Sequence, residues 1–145
     1  MSTWQRVIWL ARGGRWALAV RMLALLLRLP SWLERRPLTA VLSALCAPAG
    51  TAPRCDAELV LRLADALVRR LRRSRTSPCL YRSLLLFRFL PEAGLVPTIH
   101  FGVRRSDGDI VAHSWLTVNG NPVPDAADCP PSAYRELYCF CATRQ

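Results

Sequence analysis

The chain contains no lysine: its twenty basic residues are all arginine, set against ten acidic residues, for a formal net charge of +10. A nucleic-acid-binding protein would gather such charge on one face and interleave it with aromatic residues. These arginines are scattered, except for two short runs at residues 69–70 and 72–75. The composition therefore argues against a nucleic-acid partner and indicates a solvated basic surface, or an electrostatic surface for an acidic partner.

The sequence also lacks a recognisable signal peptide and a long apolar run. Its strongest apolar stretch, residues 16–29, is shorter than the roughly 20 residues that a membrane span requires, and Arg21 and Arg28 interrupt it. Because these arginines are seven residues apart, they share one face of an amphipathic helix. We expect this helix to pack on the rest of a cytoplasmic protein or on a partner, with surface binding to a membrane as the alternative.

Histidine is scarce, with two residues, and the six cysteines follow no disulfide or zinc-knuckle spacing. Cys139 and Cys141, the nearest pair, are separated by a single residue. We therefore expect no metal, no cofactor and no disulfide. Five cysteines are interpreted as reduced thiols that mostly serve packing: Cys46, Cys55, Cys129, Cys139 and Cys141.

The sixth cysteine, Cys79, has a different local context. Ser77 can cap a helix with its hydroxyl, and Pro78 suits the first helical position. Cys79 then lies in the first turn, beside unpaired backbone N–H groups and the positive end of the helix dipole. This environment favours the thiolate, and the same N–H groups could hold an oxyanion. The pattern predicts a nucleophile.

His113 and Asp125 follow Cys79 on a predicted hairpin and supply a base and its orienting acid. The turn between them contains Asn119-Gly120. A two-residue loop would place His113 and Asp125 on opposite faces of the hairpin, whereas a three-residue loop with a bulge at Gly120 would make them direct neighbours. A functional triad therefore predicts the bulged loop.

Other residues compete for these roles or could support them. His100 lies on a predicted strand with no carboxylate at hairpin distance, and Asp128 is the alternative to Asp125. Asp107 and Asp109 belong to a predicted turn, where aspartate is common. Three further residues are candidates for binding substrate or supporting the site. Trp115 would shield His113 from water, Arg82 would contact substrate or pair with an acid, and Leu80 follows the nucleophile.

The periodicities predict an α+β fold in which N-terminal helices pack with a core that places the nucleophile at a helix N-terminus against a small antiparallel sheet. The chain is interpreted as one domain, with a helical region at 1–54 and a core at 55–145. Helices are predicted at about 3–11, 15–28, 37–46, 56–73 and 78–90, and strands at about 97–104, 110–118, 121–125 and 134–141.

Five motifs extend the pattern of nucleophile, base and acid: Cys79-Leu80-Tyr81-Arg82-Ser83-Leu84, Gly94-Leu95-Val96-Pro97, Phe101-Gly102-Val103, Ala112-His113-Ser114-Trp115 and Gly120-Asn121-Pro122-Val123-Pro124-Asp125. Their order resembles the transglutaminase-like branch of the papain-like cysteine enzymes. The resemblance is closer to the leader peptidase of lasso peptide biosynthesis, covers about residues 55–140 and is strongest between 77 and 125. Ser114 stands where that family usually has alanine.

The resemblance implies a cysteine peptidase with a Cys79-His113-Asp125 triad that removes the leader from a ribosomally made precursor peptide before macrolactam formation. It implies a separate leader-recognition protein and an ATP-dependent macrolactam cyclase as partners. The alternatives are a non-catalytic transglutaminase-like binding module, a basic peripheral membrane adaptor, and an amine-transferring transglutaminase. The triad alone does not distinguish water from an amine as the acyl acceptor.

Overall fold

Helices precede strands along the chain in a computed structural model that describes residues 14–46, 55–71, 77–125 and 130–142. The described residues have the predicted mixed architecture of helices and a small antiparallel sheet. Four features discussed above lie outside the described residues: the predicted helix at 3–11, the basic run at 72–75, Asp128 and Cys129. The helices are α1 (Arg15–Arg35), α2 (Leu38–Leu45), α3 (Ala57–Leu71) and α4 (Pro78–Phe89); the strands are β1 (Pro97–Ser106), β2 (Asp109–Val118), β3 (Asn121–Pro122) and β4 (Arg135–Cys141).

Helix α4 is the central element of the hydrophobic core. It begins at Pro78 as predicted, and a 3-10 turn at Leu90–Ala93 follows it. Buried residues lie all around it rather than along one stripe, as is typical of a helix that is covered on every side. They are Tyr81, Ser83, Leu84, Leu85, Leu86, Phe87 and Phe89.

Helix α1 is longer than the apolar stretch that predicted it. It continues through Pro30 to Arg35, although proline removes one backbone hydrogen bond of a helix. Its buried residues recur at helical spacing, and Trp32 and Leu33 also pack against the core beyond the proline. This tertiary packing accounts for the extension. The buried positions are Leu18, Met22, Leu26 and Leu29.

The greater length of α1 bears on whether this helix could span a membrane. Among the described residues, α1 is long and apolar enough to cross a membrane by length and composition, with a mean hydropathy of 1.4 and 22% of that stretch buried. Length therefore does not exclude a span, contrary to the expectation. The docking of α1 is instead shown by its contacts: Arg21 forms a salt bridge with the buried Glu92, just beyond α4.

The sheet has the strand order β3-β2-β1-β4, and all its pairs are antiparallel. Ile99 and Leu116, which are opposite each other on β1 and β2, are buried in the core on the helical side. His100 and Trp115, the next pair, therefore project from the other face, since side chains alternate along a strand. Strand β4 was predicted at 134–141 and pairs with the outer side of β1.

Both hairpin turns have two residues. Asp107 and Gly108 connect β1 to β2, and Asn119 and Gly120 connect β2 to β3, each with positive φ. Positive φ at both central positions is typical of the type I′ turn, whose twist matches that of paired strands. The predicted three-residue bulged loop is therefore wrong: Val118 pairs with Asn121 and Thr117 with Pro122.

Candidate active site

Cys79 lies in the first turn of α4, at the helix start that the sequence predicted. Ser77 occupies the N-cap position with extended backbone, but its hydroxyl does not cap the helix. Its Oγ instead lies 2.8 Å from Cys79 Sγ. The predicted capping bond is therefore wrong, because the hydroxyl is engaged by the thiol of the residue two positions later. Cys79 is only partly buried, so reagents can reach its thiol.

His113 and Asp125 form a hydrogen bond between their side chains. Nε2 of His113 lies 2.9 Å from Oδ2 of Asp125. Both side chains are mostly shielded, with 8% of His113 and 19% of Asp125 exposed. The structure thus joins the predicted base and its predicted acid, although the loop that was thought necessary for this contact is absent.

The contact forms because the chain leaves the sheet before it reaches Asp125. Regular pairing in the observed register would put Ser114, rather than His113, opposite Asp125. Strand β3, however, ends at Pro122, and the last ladder-like bond runs from Val123 N to Leu116 O at 2.9 Å. Pro124 has no N–H with which to continue the ladder. Asp125 therefore lies beyond the paired strand, where side chains no longer have to alternate between the two faces of the sheet.

Arg82 ties the segment that carries Asp125 to the helices. Its Nε donates to Asp65 Oδ1 on α3 at 2.6 Å, and its Nη2 donates to the carbonyl oxygen of Pro124 at 2.7 Å. The side chain is 13% exposed, which leaves little of the guanidinium free. Of the two roles weighed for Arg82, the structure shows pairing with an acid. Asp65 was not identified from the sequence, because it lies on another helix.

A second contact joins α4 to β2 beside His113. Ser114 Oγ donates to Ser83 Oγ at 3.1 Å, and both side chains are buried. This pair satisfies the hydroxyl of Ser114, at the position where the lasso family usually has alanine. Ser83 lies one helical turn after Cys79 on the same face of α4. The first turn of α4 is thereby held near the part of β2 that carries His113.

The thiol and the imidazole do not form a hydrogen bond in the described part of the chain. Cys79 Sγ contacts Ser77, and His113 Nε2 contacts Asp125. Two of the three predicted residues are therefore joined directly, and no described contact joins Cys79 to either of them.

Aromatic rings cover His113 on its face of the sheet. The Trp115 ring lies 6.1 Å from the imidazole and nearly parallel to it, as expected for a residue two positions later. Tyr134, which the sequence analysis missed, is closer, with ring centroids 4.9 Å apart. It precedes β4, so only the pairing of β4 with β1 brings it here. Leu80, the remaining candidate, packs partly buried against the core.

Gly102 makes room for this aromatic layer. A Cβ built at Gly102 would lie 2.8 Å from the carbonyl oxygen of Arg135 and 2.9 Å from the Trp115 ring. The glycine is opposite His113 in the β1–β2 pairing. A single glycine within a strand often marks such a close approach, and this signal was available in the Phe101-Gly102-Val103 motif.

His100 has an acidic partner that the sequence analysis did not find. Its Nδ1 lies 2.5 Å from Glu136 Oε2, and its Nε2 lies 2.9 Å from Thr117 Oγ1. The carboxylate does not come from the hairpin, where the sequence offered none, but from Glu136 on β4. Each histidine therefore contacts a carboxylate: His113 contacts Asp125, and His100 contacts Glu136 where β1 pairs with β4.

The remaining described cysteines divide into two groups. Burial raises the pKa of Cys46 and of Cys55, so these thiols are largely protonated and unreactive near neutral pH. They pack against the core as predicted. Cys139 and Cys141 are exposed on β4, so the packing role predicted for them is wrong. Their side chains point away from the core because Phe140, between them, packs against it and side chains alternate along a strand.

A comparison with protein families gives a match over residues 22–139. The matched region begins within α1, ends in β4 and includes Cys79, His113 and Asp125. Comparisons with curated proteins and with solved structures found no match. Members of the matched family are often cysteine peptidases or transferases. The match covers most of the chain, which therefore belongs to the transglutaminase-like superfamily.

Proposed function

We propose that this protein is a cysteine peptidase in which Cys79 is the nucleophile, His113 the base and Asp125 its orienting acid. The thiolate attacks a peptide carbonyl, His113 gives the proton to the leaving amine, and water hydrolyses the thioester. The observation that carries the proposal is the bond between His113 and Asp125, in a transglutaminase-like chain whose Cys79 opens the central helix.

The bond to Asp125 assigns the ring nitrogens. A carboxylate only accepts hydrogen bonds, so Nε2 of His113 carries the hydrogen in this pair. The lone pair of the neutral ring is then on Nδ1, which is the nitrogen available to take the proton of Cys79. Asp125 in this role fixes the tautomer and stabilises the imidazolium that forms.

Cys79 reaches His113, in this proposal, around the free edge of β2. Strand β3 pairs only with Thr117 and Val118, so His113 lies on a part of β2 whose outer edge has no ladder partner among the residues that the structure describes. The contacts of Ser83 with Ser114 and of Arg82 with Pro124 hold the start of α4 beside that edge. Closure of the thiol onto Nδ1 would accompany substrate binding, when catalytic hydrogen bonds commonly tighten.

We propose the leader of a ribosomally made lasso precursor as the substrate, on the strength of the motif resemblance around Cys79, His113 and Asp125. A separate recognition protein would deliver the leader, and an ATP-dependent cyclase would use the freed core peptide. The exposed apolar face of α1 is the surface that we propose for the recognition protein. It is formed by Trp16, Val20, Leu23 and Leu27, which are between 39% and 62% exposed. The net charge of +10 favours an acidic partner.

The test combines the protein with a lasso precursor peptide and a leader-recognition protein, and follows the peptide masses. We expect cleavage by the wild type and none by Cys79→Ala, because no other described thiol lies at a helix start. Cys141→Ala, which removes an exposed thiol from β4, is the matched control and should cleave normally. Activity that survives in Cys79→Ala would refute the assignment. A product carrying an added amine, when an amine is supplied, would favour the transferase alternative.

A second measurement tests the Cys79–His113 pair with an alkylating analogue of the leader peptide, which occupies the substrate site and so would bring about this closure. The alkylation rate of Cys79 is measured against pH in the wild type and in His113→Ala. An adjacent imidazole forms an ion pair with the thiolate and extends the reactivity to lower pH. We expect this extension in the wild type and its loss in His113→Ala. Identical pH profiles in the wild type and in His113→Ala would contradict the pairing of Cys79 with His113, and would leave the fold as described.

A further inference from the structure

Three potential metal ligands converge on the outer pair of strands, on the same face of the sheet as His113, with the Trp115 ring stacked against both histidines. They are His100 on β1 and Glu136 and Cys139 on β4, and their ligand atoms all lie within 4.8 Å of one another. The sequence gave no reason to expect them together, because His100 is far from the other two along the chain. Only the antiparallel pairing of β1 with β4 joins them.

A bulge in β4 brings the carboxylate to the same side as the other two. His100 is opposite Cys139, so these side chains share a face of the sheet. Glu136 would lie on the other face if β4 were regular, since it is three residues from Cys139. The register shifts between Phe101 and Gly102, which leaves Leu137 without a partner and places Glu136 opposite Gly102. The extra residue turns Glu136 toward His100.

The imidazole of His100 is held in one orientation. Its Nε2 lies 2.9 Å from Thr117 Oγ1, and its ring stacks on Trp115 with 5.5 Å between centroids and 6° between planes. Its Nδ1 is directed at Glu136, at 2.5 Å. A ring with one nitrogen fixed by a protein group and the other turned toward acidic and thiol ligands has the arrangement of a metal-binding histidine.

We propose that His100, Glu136 and Cys139 bind a divalent transition-metal ion, with Zn²⁺ as the best match. A thiolate and an imidazole favour Zn²⁺ over Mg²⁺ or Ca²⁺, which prefer oxygen ligands. Three protein ligands and one water complete a tetrahedral shell. The thiolate and the carboxylate together balance the charge of the ion. Binding releases the thiol proton of Cys139 to solvent, and His100 binds through Nδ1 in the tautomer that carries its proton on Nε2, facing Thr117 Oγ1.

The position of the site determines how the metal ion enters and how its binding affects stability. Cys139 is exposed and 46% of the Glu136 side chain is exposed, so an ion enters from solvent and keeps room for water. Ligands on two strands mean that the ion links β4 to β1 directly. The bound form is therefore more stable toward heating than the free form, because unfolding separates the ligands. The site goes beyond the proposed peptidase activity and does not depend on it.

The test uses full-length Cys79→Ala, which removes the thiol of the proposed nucleophile as a competing ligand. Co²⁺ serves as a spectroscopic probe of the Zn²⁺ site, since a cobalt–thiolate bond gives a charge-transfer band. We expect that band, its displacement by Zn²⁺, and a rise in the unfolding temperature with Zn²⁺. Adding Cys139→Ser should abolish the band and the rise. Glu136→Gln should weaken Zn²⁺ binding by about tenfold or more, because even an outer-shell partner is worth 10–100-fold.

Cys141→Ser, added to Cys79→Ala in the same way, is the matched control. Cys141 is also an exposed thiol, two residues further along β4 and opposite Thr98 rather than His100. This variant should keep both the band and the rise in unfolding temperature. The proposal is overturned by the absence of a cobalt–thiolate band in Cys79→Ala, by its survival in Cys139→Ser, by its loss in Cys141→Ser, or by an unfolding temperature that Zn²⁺ does not raise.

Discussion

Arg82 Nη2 donates a 2.7 Å hydrogen bond to the carbonyl oxygen of Pro124, the residue that immediately precedes Asp125. The same guanidinium binds Asp65 on α3 through Nε. One side chain therefore connects two helices to the segment that presents the acid of the candidate triad. Its planar fork can serve both acceptors at once, which an ammonium group cannot do in the same geometry.

Replacing Arg82 by methionine should release this segment and disorder Asp125. We expect kcat for leader cleavage to fall about tenfold with a smaller change in KM, because positioning rather than substrate binding is lost. Arg82→Lys should stay impaired, since it restores the charge without the fork. Arg88→Met is the matched control: Arg88 is six residues further along α4, binds Glu92, and should affect stability more than kcat. A larger loss of kcat in Arg88→Met would reject the positioning role.

His113 and Asp125 should differ in the severity of their loss. His113→Ala removes the base, so we expect no cleavage above the level of Cys79→Ala. Asp125→Asn keeps a hydrogen-bonding side chain but no longer fixes the tautomer, so we expect a residual activity of about one part in 10⁴. Single-turnover cleavage measures both.

His100→Gln is the control for the choice of base. Its imidazole is paired with Glu136 on the outer strands, and cleavage should continue with a modest loss of stability. Full activity of His113→Ala beside an inactive His100→Gln would show that the base was assigned to the wrong histidine.

Gly102→Ala should destabilise the sheet by forcing apart Trp115 and β4. The added methyl would meet the Arg135 carbonyl and the Trp115 ring inside ordinary contact distance, and backbone cannot swing aside. We expect a loss of about 1–3 kcal/mol in the free energy of unfolding, measured by urea titration. Gly108→Asn is the control: nothing lies within 4 Å of a Cβ there, so its smaller loss reflects only the backbone strain of positive φ, which asparagine tolerates better than most residues. A Gly102→Ala variant as stable as wild type would contradict the close packing.

Glu92 should make stability depend on pH in the acidic range. Burial alone would raise its pKa, but hydrogen bonds and charge from Arg21 and Arg88 outweigh that effect and hold the pKa below its usual value. The stabilisation is therefore fully present above the ordinary carboxyl range and is lost as the pH falls through the lower, folded-state pKa.

Glu92→Gln should accordingly lower the free energy of unfolding at neutral pH, by about 2 kcal/mol, since both arginines keep partial contact with water. The difference between the variant and wild type should shrink as the pH falls below about 4. Glu58→Gln, which loses an exposed pair with Arg62 within α3, is the control and should change stability little. A difference that stays constant down to the acid transition would refute the ion-pair account.

The exposed apolar face of α1 should bind a protein rather than a lipid membrane. We expect the purified chain not to float with anionic vesicles at physiological ionic strength, and to bind the recognition protein. Val20→Asp and Leu27→Asp, on the exposed face, should weaken that binding with little loss of stability, because these side chains are 59% and 62% exposed. Flotation that high salt reverses, without binding to the recognition protein, would favour the membrane adaptor.

The sequence alone determined the local structure around the nucleophile and the alternation along the strands. Pro78 fixes the start of α4, so Cys79 lies in its first turn. Residue types and two-residue turn signals determined β1 and β2 and the turn at Asp107-Gly108, because these are short-range preferences of the backbone. The family motifs likewise singled out His113 and Asp125 before any distance was known.

Tertiary structure decided the contacts that depend on where a strand stops and which strand lies beside it. Alternation of side chains along a strand predicted that a two-residue turn would place His113 and Asp125 on opposite faces of the sheet. They meet because the chain leaves the sheet after Val123. Glu136 joins His100 and Cys139 only through a bulge in β4, and α1 runs past Pro30 because its far end packs on the core. Such outcomes follow from the packing of residues distant in sequence, which local patterns do not encode.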